Sequence, residues 1–248
     1  MWRWVPILFV VFRCHAQFGG FGDLAFSQPP SAAAGSSFDP TNVTSAVLKA
    51  RYQVDLMGYA NAEGITNMFD ASTNRLNAIG EATAINTVDA SINGRAYAAF
   101  TGTGSYVTNF PALSQTNVIF SVCRKGGSVA NYYYDSADGA HRHILLEASS
   151  TTMTTYAGSA FNFDRPAGWC LIEQQFAGAA SYVNTNSTLA ASGDAGSQTM
   201  GGITIGQRFG LDNGADYDLA CLLIYNGPMT DADKASVRTW LTTRYGPF

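Results

Sequence analysis

From Ala46 to Phe248 the chain breaks into short β-type runs separated by Gly, Asn, Asp and Ser, and this punctuation restricts the fold more than any other feature. The strongest runs are Val118-Ile119-Phe120-Ser121-Val122-Cys123, His143 to Ala148, Trp169-Cys170-Leu171-Ile172-Glu173, Ile203 to Gly206 and Leu219 to Tyr225. They are rich in the β-branched and aromatic residues that fit a pleated surface. Their spacing predicts an all-β sandwich over 46–248. One helix stands apart near the end. Thr230 is a good N-cap, Asp231 and Asp233 fall in the first turn where the helix dipole favours them, and Val237, Trp240 and Leu241 form an apolar stripe. There is no internal repeat, heptad run or second domain.

Residues 1–45 read differently. Met1-Trp2-Arg3-Trp4 and the apolar run Val5 to Phe12 resemble a secretory signal with Ala16 as a candidate cleavage point, although Arg13 and His15 are awkward beside it. The run is too short to span a bilayer. Gln17 to Ser45 is rich in Gly, Ala, Ser and Pro with no periodicity, which predicts an extended arm or linker. Retained, the arm would need an apolar surface for Trp2, Trp4, Phe18, Phe21 and Phe26. A retained assembly arm and a cleaved signal both stay open.

With 248 residues, 46% of them hydrophobic, the chain can bury a full core, and disorder is excluded. Charged residues are only 13%, about half the ~25% usual in globular domains. Small polar residues must therefore cover the surface, a composition closer to an extracellular or particle-bound β-protein than to a cytosolic enzyme. The formal net charge is -4 and the 14 Lys and Arg form no basic stretch, which argues against nucleic acid binding. Cys14, Cys123, Cys170 and Cys221 are widely spaced, without the C-x-x-C pairs of zinc ribbons. They read as four free thiols, with a Cys123–Cys170 bridge as the alternative in a secreted protein.

Over residues 50–246 the segments run in the order Arg51-Tyr52-Gln53-Val54-Asp55, Asn67-Met68-Phe69-Asp70, Ile92-Asn93-Gly94-Arg95, Gly168-Trp169, Tyr182-Val183-Asn184, Gly202 to Gly206 and Ala220 to Tyr225 followed by the helix. This order resembles the laminin-G-like branch of the concanavalin A-like lectin/glucanase superfamily, as found in phage structural and bacterial surface proteins. Met68 stands where the family usually has tryptophan. The resemblance implies an antiparallel jelly-roll β-sandwich with one C-terminal helix, whose sheet face or rim loops bind ligands in many members.

Glucanases of that superfamily need two carboxylates about 5 Å apart. Here Glu63, Glu81, Glu147 and Glu173 are each isolated along the chain, which predicts a non-enzyme, with Asp135 and Asp164 as the one remaining carboxylate pairing across a sheet. No G-x-S-x-G elbow or phosphate loop occurs. His141 and His143 would share one side of a strand, as a polar edge or a two-histidine clamp without an evident third ligand. Asp212, Asp216 and Asp218 offer oxygens for calcium, or simply an Asx-rich turn, while Thr101 to Ser105 lacks the aspartates that family members often carry there. Tyr132-Tyr133-Tyr134-Asp135 is the recognition candidate, with Tyr132, Tyr134 and Asp135 as ligand-binding candidates: alternation would bury Tyr133 and expose its neighbours to stack on sugars or partners, or simply leave a strand half in the core and half at the rim.

These readings converge on a non-enzymatic structural or adhesion module. The favoured expectation is a virion-associated decoration or tail protein held to neighbouring subunits or other virion proteins by its N-terminal arm and able to bind glycans. The alternative is a secreted or surface carbohydrate-binding lectin-like protein with a cleaved signal.

Overall fold

The computed structural model describes residues 38–60, 64–80, 86–102, 104–125 and 132–248, with the side chains of 86–91 outside the description. The proposed arm residues Trp2, Trp4, Phe18, Phe21 and Phe26, and Cys14, lie outside the described residues. In chain order the strands are β1 Val47–Gln53, β2 Gly64–Ile65, β3 Asn67–Met68, β4 Ala78–Gly80, β5 Asn86–Ile92, β6 Arg95–Thr101, β7 Tyr106–Thr108, β8 Asn117–Lys125, β9 Tyr132–Asp135, β10 Ile144–Glu147, β11 Thr152–Tyr156, β12 Ala160–Asp164, β13 Trp169–Phe176, β14 Ser181–Thr185, β15 Thr188–Gly193, β16 Ile203–Ile205 and β17 Asp216–Asn226, followed by α1 Asp231–Tyr245.

They form two antiparallel sheets, as an antiparallel jelly-roll β-sandwich requires. Sheet A runs β15-β14-β13-β8-β17-β6-β5-β2, with β1 also on β17; sheet B runs β12-β11-β10-β9-β16-β7-β4-β3. The main core lies between the sheets, and a second apolar layer lies between the outer face of sheet A and α1. Sheet A is therefore covered on both faces. This is why Val118–Cys123 and Leu219–Tyr225 read as continuous apolar runs rather than alternating ones. On β17 a register shift between Leu219 and Cys221 changes the phase. Tyr217, Leu219, Leu222 and Ile224 thus face sheet B, while Cys221, Leu223 and Tyr225 face the helix layer.

The helix forms as its sequence predicts. Thr230 accepts from the Asp233 amide at 3.2 Å, and Val237, Trp240, Leu241 and Tyr245 are buried. Asp55 ties its C-terminal end to the sandwich. It pairs with Arg95 at 3.2 Å and Arg244 at 2.5 Å and accepts from the Tyr245 hydroxyl at 2.8 Å. Burial raises the Asp55 carboxyl, but bonds from Gln53 and Tyr245 and the Arg244 charge outweigh it and hold the group below the ordinary aspartate range. Phe120, Ile224 and Trp240 are buried, whereas Trp169 is only half-buried at the rim of the helix layer, edge-on to Tyr97 with Arg124 over its ring. Met68 is fully buried.

Candidate functional site

The recognition candidate on β9 does not follow strict alternation. Leu145 pairs with Tyr134 but Leu146 pairs with Tyr132, so a bulge carries both Tyr133 and Tyr134 into the core. Tyr133 stacks on Tyr217, and the Tyr134 hydroxyl donates to Gln174 Oε1 of sheet A. The expected exposure of Tyr134 is thereby corrected: Tyr134 is buried between the sheets, and Asp135, the other binding candidate, is buried on the opposite face. There Arg142 covers Asp135 through Nε at 3.1 Å and Nη2 at 2.5 Å, and the Ser136 and Phe209 amides donate to the same carboxylate. The Arg142 guanidinium also lies 4.9 to 5.8 Å from the ring centroids of Phe209, Tyr156 and Tyr132. Tyr132 is half-buried in this cluster. The charge is already neutralised and the rings already have a cation, so the arrangement fixes loops to sheet B.

Asp212, Asp216 and Asp218 are not gathered into one coordination shell. Asp212 faces Arg208 at 3.7 Å, Asp218 pairs with Arg124 at 2.6 Å, and Asp216 opens β17 opposite Thr101. Among the described residues no group of three or more His, Cys, Asp or Glu is placed to hold a metal ion. His141 and His143 precede β10 and take different environments. His141 pairs with Asp138 at 3.0 Å near the surface, while His143 is buried, stacked on Phe176 and within 2.9 Å of the Gln198 carbonyl. Burial lowers the His143 ring to about 4, so it is neutral at physiological pH.

Of the carboxylates considered in the sequence, Glu63 and Glu81 lie outside the described residues, and the others are held apart by the fold. Glu147 is held by Lys125 at 2.7 Å and Arg165 at 3.2 Å. Glu173, on the other sheet, is held by the Tyr182 hydroxyl at 2.7 Å and Arg238 at 3.4 Å. Asp164 on β12 is three strand spacings from Asp135 on β9, about 14 Å, beyond the roughly 5 to 10 Å that glycoside hydrolysis uses.

The open surface lies elsewhere, in the loop after β3. Asp70 builds it: its carboxylate accepts from the Arg51, Ser72 and Leu76 amides and the Ser72 hydroxyl, all at 2.7 to 2.8 Å. Asn77 Oδ1 accepts from the Asp70 amide at 2.9 Å, and the Tyr52 hydroxyl donates to the Leu76 carbonyl at 2.6 Å. With four donors, the Asp70 carboxylate has no capacity left for a cation or a proton-transfer role. The rigid loop frames an open pocket of about 350 Å³ lined by Phe69, Asp70, Ala71, Ser72, Arg75 and Asn77. Phe69 is 44% exposed, a large value for its type. Its ring lies 6.2 Å from that of Tyr59 with the planes inclined by only 19°. The Tyr59 hydroxyl is fixed by the backbone of Asn67. Arg75 is exposed in the left-handed region at φ 54°, and among the described residues no carboxylate lies within ion-pair reach of it. The site thus offers a flat ring, an exposed guanidinium and the Asn77 amide on a hydrogen-bonded frame. In the sequence Phe69 and Asp70 stand out only as part of the superfamily resemblance. The signal that could have found the site was Asp-x-Ser following an aromatic at a strand end, the mark of an Asx turn.

No protein-family model and no curated protein matches the chain. Several solved structures share its fold. Domain 4 of AbnA, a GH43 extracellular arabinanase from Geobacillus stearothermophilus solved with arabinotriose, superposes with a TM-score of 0.59 at 14% identity, covering 79% of this chain and 98% of that domain. An arabinofuranosidase complexed with arabinofuranosyl-alpha-1,2-xylobiose gives 0.60 at 12% identity, covering 73% and 51% of the two chains. A botulinum neurotoxin type C structure, whose cell entry depends on two ganglioside molecules, gives 0.53 at 10% identity over 77% and 50%. The chain therefore spans nearly all of the arabinanase domain and about half of the other two. At these identities the likeness establishes the β-sandwich alone.

Proposed function

We propose that this chain is a non-catalytic glycan-binding β-sandwich module of the laminin-G-like, concanavalin A-like type, and that the pocket beside Phe69 is its contact surface. The observation that carries the reading is the exposed Phe69 ring set against Arg75, which has no ion-pair partner among the described residues, over an open pocket of ligand size. A saccharide presents an apolar C–H face to an aromatic ring and hydroxyls, or an acid group, to a guanidinium and an amide. The saccharide complexes of the arabinanase domain and the arabinofuranosidase, and the ganglioside dependence of the neurotoxin's cell entry, support the reading by analogy of fold. A glycan array followed by calorimetry on its best binders tests it. Phe69→Ala is expected to weaken binding about tenfold, and Arg75→Ala by 10- to 100-fold, both with unchanged unfolding temperature. An empty array, or affinity indifferent to both substitutions, would remove the proposal. Release of reducing sugar from a bound glycan, lost on mutating Glu147 or Glu173, would overturn its non-catalytic part.

We also propose a location for the module. The apolar content of residues 1–38 supports attachment to neighbouring subunits or other virion proteins, and hence a place on a virion or extracellular particle. Ser36–Phe248 is a compact unit by itself. Deleting residues 1–35 is accordingly expected to leave a folded sandwich that no longer joins its assembly. Full occupancy by the truncated protein would defeat the attachment reading and leave the secreted lectin in its place.

A further inference from the structure

We infer that Cys123 and Cys170 are a latent cross-strand disulfide site that staples β8 to β13 under oxidising conditions. The two cysteines are direct partners in the antiparallel β13–β8 ladder. Residues directly opposite one another leave a sheet on the same face, and both side chains are buried in the core between the sheets. Cα atoms of such partners stand about 4.5 or 5.5 Å apart, within the roughly 4.4 to 6.8 Å that a disulfide spans. The Cys170 thiol lies 3.4 Å from the Cys123 carbonyl. The neighbouring Cys123 and burial raise the Cys170 thiol above the ordinary cysteine range.

The pair sits near one end of both strands, just before Arg124 and just after the half-buried Trp169 and exposed Gly168, so the opening of a few residues reaches it. Cys221 is the internal contrast. It lies in the helix layer on the other face of sheet A, its thiol pushed up to about 12 by burial.

The oxidant is an external disulfide such as oxidised glutathione. One cysteine, as thiolate, attacks it to give a mixed disulfide and one released glutathione thiolate. The second cysteine displaces the other glutathione. The two protons from the cysteines end on the two glutathiones, which take up the two electrons that the protein loses.

The test is refolding of the full chain from denaturant in a glutathione redox buffer, followed by alkylation and non-reducing peptide mapping. The expected result is a linked Cys123–Cys170 peptide pair, with alkylated Cys14 and Cys221, and a denatured thiol count that falls from the four in the sequence to two. Cys170→Ser should abolish the link and leave Cys221 alkylated. Refolded protein with Cys123 and Cys170 both alkylated, or with either one linked instead to Cys14 or Cys221, overturns the inference. The wild-type map decides the matter even if the serine variant does not fold.

Discussion

Truncating Tyr217 to alanine is expected to lower the unfolding free energy by about 3 to 5 kcal/mol, the range for deleting a buried aromatic ring, and the melting temperature by roughly 6 to 20 °C. Tyr217 is the middle ring of a three-layer stack, with centroids 4.6 Å from Phe100 and 4.4 Å from Tyr133. Phe100 belongs to sheet A and Tyr133 to sheet B, so the ring joins the two halves of the sandwich. Its hydroxyl donates to the Tyr133 carbonyl at 2.9 Å. Tyr217→Phe keeps the stack and should cost only about 0.5 to 1.5 kcal/mol. Thermal or denaturant unfolding of the two variants separates ring from hydroxyl. Equal, small losses would mean that the stack does not couple the sheets.

Asp135→Ala should cost a similar 3 to 5 kcal/mol, for a different reason. Breaking a buried ion pair from one side strands the other charge. The substitution would leave the Arg142 guanidinium, only 13% exposed, and the amides of Ser136 and Phe209 without their acceptor. Burial raises the Asp135 carboxyl while Arg142 opposes the rise. Asp135→Ala/Arg142→Met removes both charges and should recover most of the loss. If the double variant is no more stable than Asp135→Ala alone, the cluster is not held by this pair. Neither variant touches Phe69, so glycan affinity should persist wherever the protein is folded.

Much of the architecture is legible in the residues. The apolar runs at Val118 and Leu219, their Gly and Asn punctuation, and the capped helix at Thr230 each correspond to an observed element. The site was far less so. Period-2 reasoning fails at Tyr132–Asp135 because a bulge inserts one residue, and bulges leave no periodic trace. The aspartates at 212, 216 and 218 suited a metal in one dimension, but arginines distant in sequence or across the loop take two of them. Phe69 looked like one more family residue. Its exposure depends on Asp70 folding the next seven residues back against β1, a knot of short contacts that no propensity scale encodes.

The position of β17 also has a bearing on how the chain comes into being. It is the seam of sheet A, bonded to β8 on one side and to β6 and β1 on the other, yet it follows every other described strand in the chain. A ribosome delivers β1, β6 and β8 long before it delivers their shared partner. Until Asn226 emerges, three backbone edges of the nascent chain remain open to pairing with neighbours. Vectorial synthesis therefore cannot close this sheet step by step. The sandwich locks only once the strand ending at Asn226 has been delivered.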